Sequence, residues 1–386
     1  MKKATQRHTK QHNSRLILKT IYTAGGISRA DIARNTGLTR TTVSTIVSDL
    51  MQDGLVGELG IGPSAGGKPP IVLGLLENAR QFICLDLSKD PLQGALVNLR
   101  GQIVKRIEMP LNGRLGNTAL NLVTKFVNQL RECSTATILG IGIGSPGLVD
   151  TQNGIIKEAV NLSWHNVPLK SVIEAEQDLP VYVANDSHLA ALAEYSFGGS
   201  HIRNLVLIKT GLGIGSGIVI NGQLYHGAGG NAGEIGHVTV GQHGAQCSCG
   251  NIGCLEAIAS MQAIMAQAQA IPVDQWQAAK PTTWDEFCIA VHQGDATAQK
   301  LASAAGDYIG MAAANLVGIL NIREIVIAGA MVSLGDALIT AVCHRMHQNV
   351  IPGVAEQTTV KFTNLGADLV LQGASALILT HQLGVI

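Results

Sequence analysis

GGNAGEIGHVTVGQHGAQCSCGNIGCLE, residues 229–256, decides how this chain is read. It holds one histidine and three cysteines in close order: His237, Cys247, Cys249 and Cys254. Three thiolates and one imidazole complete a tetrahedral zinc shell and leave no position for water, so the expected metal is structural. Gly244, Gly250 and Gly253 allow so short a loop to wrap an ion. The competing reading takes the thiols as small core residues, or the Cys-Ser-Cys run as redox-active. Against it, the other four cysteines (Cys84, Cys133, Cys288 and Cys343) are scattered, while these three fall within eight residues. Glu234 and Glu256 bracket the cluster. Neither is needed to fill the shell, so both are available for another task.

GEIGH followed by CxCGxxGCxE resembles the signature of the ROK family, which comprises sugar kinases and sugar-responsive transcriptional repressors. The resemblance covers nearly all of residues 81–386. It implies an actin-like, ribonuclease-H-like pair of lobes with a cleft between them. It also implies sugar contacts at Asn185, Asp186, Glu234, His237 and Glu256, with Asn161 a weaker match. The chemistry of these residue types agrees. Carboxylates accept strongly from hydroxyls, and amides both donate and accept. Each has a plainer role open to it: Asn185 as a helix cap, Glu256 as an acid favoured at a helix start, His237 as a zinc ligand alone. If one imidazole nitrogen holds zinc, the other is oriented toward the ligand.

Working outward, the formal charge is zero, but its halves are not alike. Residues 1–70 carry ten Lys/Arg against four Asp/Glu, and the remainder carries 17 against 23. A basic first segment on an acidic body points to a polyanion partner for that segment alone. Residues 1–13 read as a loose basic arm. A helix is expected over 14–23. A second runs from Arg29 to about Asn35, capped by Ser28 and stopped at Gly37. A third is capped by Thr39, with Val43, Ile46, Val47, Leu50 and Met51 on one face. Helix, glycine turn, helix is the helix-turn-helix plan, and the third helix is the expected reader of double-stranded operator DNA. Its contacts would be Thr39, Arg40, Thr41, Thr42, Ser44, Thr45 and Ser48. Strands at 55–59 and 71–75 would form a wing. Lys68, in the Gly/Pro-rich run between them, would reach a phosphate or a minor groove. The alternative is a helical bundle for protein contacts; the charge asymmetry and the polar reader face favour DNA.

Residues 1–80 are therefore expected to form a winged helix-turn-helix domain and 81–386 a sugar-binding domain with a zinc loop. In the latter, QFICLDL, GALVNL and QIVKRIEM read as a meander. TILGIGIG, VYVAND and EIVIAG read as strands, LVLIKTGLGIGSGIVI as a hairpin, and 298–321 as a long helix. Alternating elements of this kind predict an α/β fold. The phosphate loop that ROK kinases carry, similar to DxGGTK, is replaced by Asp86-Leu-Ser-Lys-Asp90, where side chains block backbone approach and Asp90 adds negative charge. The glycine run near the C-terminal strand reads Ala328-Gly-Ala330. The loop Thr210–Gly215 is intact. A complete sugar set beside degraded nucleotide elements predicts a regulator and no enzyme; the alternative is an ATP-dependent sugar kinase with a DNA-binding appendage. The expected effector is a sugar or sugar phosphate, and the expected assembly is a homodimer or tetramer on a near-palindromic site. With no apolar run after the first lysines, no bilayer-length stretch and an odd cysteine count, neither a signal peptide nor membrane insertion is expected, and the cytoplasm is the expected compartment.

Overall fold

A computed structural model describes residues 6–63, 69–199, 202–241 and 245–386. The chain forms two compact units: one of residues 1–145, 153–183 and 374–386, the other of 146–152 and 184–373.

The first unit begins with helix α1, Gln6–Ala24, strand β1, Ile27–Ser28, and helices α2, Arg29–Thr36, and α3, Arg40–Gln52. Ser28 caps α2, accepting from the Asp31 N–H at 3.2 Å and donating its hydroxyl to the Asp31 carboxylate at 2.7 Å. Thr39 caps α3 through the Thr42 N–H at 3.2 Å. Val43, Ile46, Val47 and Leu50 are buried, as are Ile17, Leu18 and Ile21 of α1 and Ile32 of α2, and the three helices pack on one another. Part of the expected arm, Gln6–Asn13, is helical instead. No Gly or Pro interrupts it, and extending a helix already anchored by Ile17 and Ile21 needs no new nucleus. Lys10 adds a tether, with its Nζ 2.8 Å from Asp49 of α3. Strands β2, Val56–Ile61, and β3, Ile71–Leu75, form the antiparallel wing, one residue later at the start and two at the end of β2 than the sequence suggested.

The wing leads into a five-stranded sheet. Its strands β4, Arg80–Asp86, β5, Leu92–Asn98, and β6, Ile103–Met109, are the expected antiparallel meander. Helix α4, Gly116–Glu132, then carries the chain back to β7, Thr137–Ser145, parallel to β4, and Val181–Asn185 completes the sheet beyond β7. The winged segment is fastened to this sheet. Arg100, just after β5, donates to the Tyr22 carbonyl at 2.7 Å and to Glu77 at 3.0 Å, and stacks 4.5 Å above the Tyr22 ring.

The second unit is built on another five-stranded sheet. The hairpin Leu205–Thr210 and Ile214–Ile220 is antiparallel, and Leu205–Thr210 also pairs in parallel with Glu324–Gly329, which in turn pairs with Thr359–Phe362. The helix Ala296–Leu320 buries Ala302, Ile309, Ala313 and Val317 in the main core. Asp295 caps it, accepting from the Thr297 and Ala298 N–H groups with one oxygen and from Gln277 and Ala278 with the other. Burial alone would raise its pKa, but these four donors outweigh it and hold the carboxyl below its ordinary value.

Candidate metal centre and effector site

The hairpin Leu205–Ile220 is the platform. The Ser216 N–H and hydroxyl both donate to the Gly233 carbonyl, at 2.9 and 2.8 Å, and clip the following loop against the strand. A short 3-10 turn, Ile235–His237, buries Ile235 and presents His237 outward. Gly236 is required there, since a Cβ would stand 2.0 Å from the Ile214 carbonyl oxygen. The chain then doubles back: Val240 N–H donates to Gly253 O at 2.9 Å, and Leu255 N–H to Val238 O at 3.0 Å. Gly253, at φ +83° and with a Cβ position 1.9 Å from Gly241 O, makes that close pairing possible.

This double-back converges the side chains of His237, Cys247, Cys249 and Cys254, whose ligand atoms all lie within 4.8 Å of one another. Nδ1 of His237 is 3.5 Å from Cys247 Sγ, and Cys249 and Cys254 Sγ are 3.6 Å apart. Zn–S bonds of about 2.3 Å at tetrahedral angles place sulfurs roughly 3.8 Å apart, so the spacing fits the ion. Protonation of the thiols is itself uneven. The Asn251 N–H holds Cys249 down to about 7, while burial and then the neighbouring thiols push Cys254 up to about 12. A divalent metal replaces these competing protons with one shared charge. Gly244 and Lys68 lie outside the described residues.

The two ring nitrogens of His237 face different groups. Nδ1 faces the thiols, and Nε2 turns toward Glu234, 4.0 Å from its Oε2. Burial raises the pKa of Glu234; His237 opposes this, and Asp186 and Glu256 add to it. Glu256 lies in the first turn of the helix Leu255–Ala259, and its Oε2 accepts the Ile214 N–H at 2.9 Å, which ties the Cys3His loop to the hairpin turn. Asn185 does cap its helix: its Oδ1 accepts from the Ser187 and His188 N–H groups at 2.8 and 3.2 Å, and its amide donates to Gly147 O at 3.0 Å. Asp186 is 7% exposed and accepts from the Ser187 N–H at 2.8 Å. Its other oxygen is 2.7 Å from Lys209 Nζ. The structure thus brings Asp186, Glu234, His237 and Glu256 into one electrostatic neighbourhood of the second unit. Asn161 belongs to the first unit, exposed on the 3-10 turn Val160–Leu162.

Lys209 escaped the sequence reading. Its signal was a cation inside the apolar strand LVLIKT, where a charge survives only beside a partner. The loop Asp86–Asp90 is held by its own side chains. Asp86 is fully buried; its Oδ1 accepts from the Ser88 N–H and hydroxyl at 3.0 and 2.6 Å, and Lys89 Nζ lies 3.5 Å from Oδ2. Asp90 accepts the Leu111 N–H at 3.0 Å.

On α3, Thr39, Arg40, Thr41, Ser44, Thr45 and Ser48 are exposed and Thr42 is half-buried. A groove of about 550 Å³ runs beside them, lined by Thr41, Thr42 and Thr45 and, from α1, by Thr9, Lys10 and Asn13. The α1 side of this groove was hidden from the sequence reading, which left those residues in a loose arm.

Comparison with known proteins agrees with both halves. Residues 82–381 match the ROK family, and residues 11–56 match the winged helix-turn-helix DNA-binding family. The xylose repressor of Caldicellulosiruptor bescii is 30% identical over 389 residues, covering 97% of each chain. A glucokinase of Halalkalibacterium halodurans is 34% identical over 313 residues, covering 78% of this chain and 95% of its own. Among solved structures, a ROK family transcriptional regulator described as a homologue of the Escherichia coli Mlc protein superposes with a TM-score of 0.85 at 26% identity, covering 98% of each chain. The chain therefore belongs to the ROK family, with an α/β, actin-like ROK domain preceded by a winged helix-turn-helix.

Proposed function

We infer that this protein is a sugar-responsive transcriptional repressor, with a DNA-reading segment over residues 1–80 and a sugar-binding domain over 81–386. The carrying observation is the joint presence of a winged helix-turn-helix and a Cys3His cluster on the loop that also carries Glu234 and Glu256. Full-length similarity to a protein named xylose repressor supports it. Zinc at His237, Cys247, Cys249 and Cys254 acts as a structural ion: it holds the loop, and the loop holds the carboxylates. Asp186, Glu234, Glu256 and His237 Nε2 bind sugar hydroxyls, with Asn185 and Asn161 as further amide contacts. Thr39, Arg40, Thr41, Thr42, Ser44, Thr45, Ser48 and Lys68 contact the operator. The protein works in the cytoplasm as a homo-oligomer that sets two reader helices on related half-sites.

The kinase relative favours a second reading, since it shares the ROK domain. The loop at Asp86–Asp90 argues against it. Asp86 accepts from the Ser88 N–H and hydroxyl and Asp90 from the Leu111 N–H, where phosphoryl transfer needs a phosphate cradle and a metal. The test is fluorescence anisotropy on the DNA upstream of its own gene at moderate salt, with a coupled ADP-release assay on the same preparation. Preferential binding over random DNA, altered by a sugar and without ATP turnover, is the expected result. Equal affinity for random DNA refutes the regulator, and steady turnover abolished by Asp186→Asn establishes the kinase.

A further inference from the structure

Lys209 is the charged residue of this neighbourhood that the sugar-binding set leaves unexplained. It stands on the platform strand Leu205–Thr210, its ammonium 2.7 Å from Asp186 Oδ2 and its side chain still 23% exposed. Asp186 has its other oxygen on the Ser187 N–H. A carboxylate so far from water needs donors on both oxygens, and the ammonium supplies one. The pair then presents an acceptor and a donor side by side, which is the complement of two neighbouring hydroxyls, one donating and one accepting. On the same hairpin Glu256 accepts the Ile214 N–H at 2.9 Å, and Glu234 follows Gly233, whose carbonyl the Ser216 hydroxyl holds at 2.8 Å, so three carboxylates border the strand pair that carries Lys209. A phosphate brings a further charge of about −1.5 to −2 at neutral pH and would meet more like charge than unlike.

We propose that Lys209 is a specificity-determining residue of the effector site, pairing with Asp186 to read a vicinal diol, and that the effector is an uncharged, unphosphorylated sugar. The inference rests on the sugar-site reading above and goes beyond it by choosing between a free sugar and its phosphate. It also makes the Lys209 contact depend on its charge, which Lys209→Arg should preserve and Lys209→Met should not.

The test is isothermal titration of the full-length zinc-loaded protein with D-xylose, D-glucose and N-acetylglucosamine, each against its 5- or 6-phosphate. At least one free sugar should bind ten times more tightly than its phosphate. Lys209→Met should weaken that sugar tenfold or more at unchanged zinc content, and Lys209→Arg should restore it to within about threefold. Tighter binding of a phosphorylated sugar overturns the inference while leaving the sugar site in place. So does a Lys209→Met protein that keeps its metal and loses less than tenfold. If Lys209→Met fails to fold, the free-against-phosphate comparison on the unaltered protein decides alone. Binding of none of the six compounds removes the sugar-site reading itself, and the inference with it.

Discussion

At the scale of single residues, the proposed metal ligands and the proposed sugar-binding Glu234 and Glu256 sit on one stretch of backbone, so a change at one should be felt at the other. Cys247 touches His237 Nδ1, and His237 Nε2 faces Glu234. Cys247→Ser leaves three ligands, and loss of a structural ligand releases the loop the metal would hold. Zinc content by mass spectrometry should fall below one ion per chain. Sugar affinity by calorimetry should drop at least tenfold, although no sugar contact has been altered; full affinity in the metal-free variant would show that the loop holds its shape unaided. Asp295 offers a separate test remote from that loop. Its four backbone donors depress its pKa, so its stabilising contribution is present above the unfolded value and fades as pH falls through the folded one. Asp295→Asn keeps a capping oxygen and cannot titrate. Thermal midpoints measured between pH 5 and 3 should therefore fall more steeply for the unaltered protein than for the variant. Asp295→Ala, which removes the cap, should cost about 1–2 kcal/mol at neutral pH.

At the scale of elements, Arg100 fastens the winged segment to the sheet that follows it. Arg100 takes the Tyr22 carbonyl, the Tyr22 ring and Glu77 together. Burial pushes the Tyr22 hydroxyl pKa up, and Arg100 works against that rise. Arg100→Met removes a charge-assisted hydrogen bond to a carbonyl and the stacking cation, each worth roughly 1–2 kcal/mol where partly buried. Limited proteolysis should then cut near α1 faster than in the unaltered protein, while the sheet resists; equal cutting rates would mean that Arg100 is dispensable. These elements also show what a sequence discloses. The Cys3His loop, the Ser28 and Thr39 caps, the glycine stop at Gly37 and the β4–β6 meander are local patterns, each confined to one continuous run of sequence, and each was legible. Arg100 meets Tyr22 across 78 positions and Lys209 meets Asp186 across 23, so their pairing exists only once the chain has folded. The start of α1 was missed for another reason: its polar first turns have weak periodicity, and the contact that steadies them, Lys10 to Asp49, is tertiary. The helices Met261–Ala270, Trp284–His292 and Asp336–Asn349 went unread as well, although Leu338, Val342 and Met346 bury one face of the last at helical spacing.

At the scale of the whole molecule, the reader helix belongs to one compact unit and the carboxylate cluster to the other. Repression that answers to a sugar requires a coupling free energy between the two, and such coupling is reciprocal. If the effector lowers operator affinity by some factor, saturating operator must lower effector affinity by that same factor. Typical couplings are about 1–3 kcal/mol, or roughly 5–150-fold. The check is a pair of titrations: operator binding by anisotropy with and without saturating sugar, and sugar binding by calorimetry on the free protein and on the operator complex. Equal factors are expected, of either sign. Arg40→Ala gives the control that separates DNA contact from coupling. Arg40 is exposed at the first position of the reader helix. Its loss as a phosphate contact should reduce the slope of log affinity against log salt by about 1 while leaving the coupling factor unchanged. A sugar that alters operator affinity without the reverse effect would mean the two measurements report different oligomers, since a single linked equilibrium cannot behave that way.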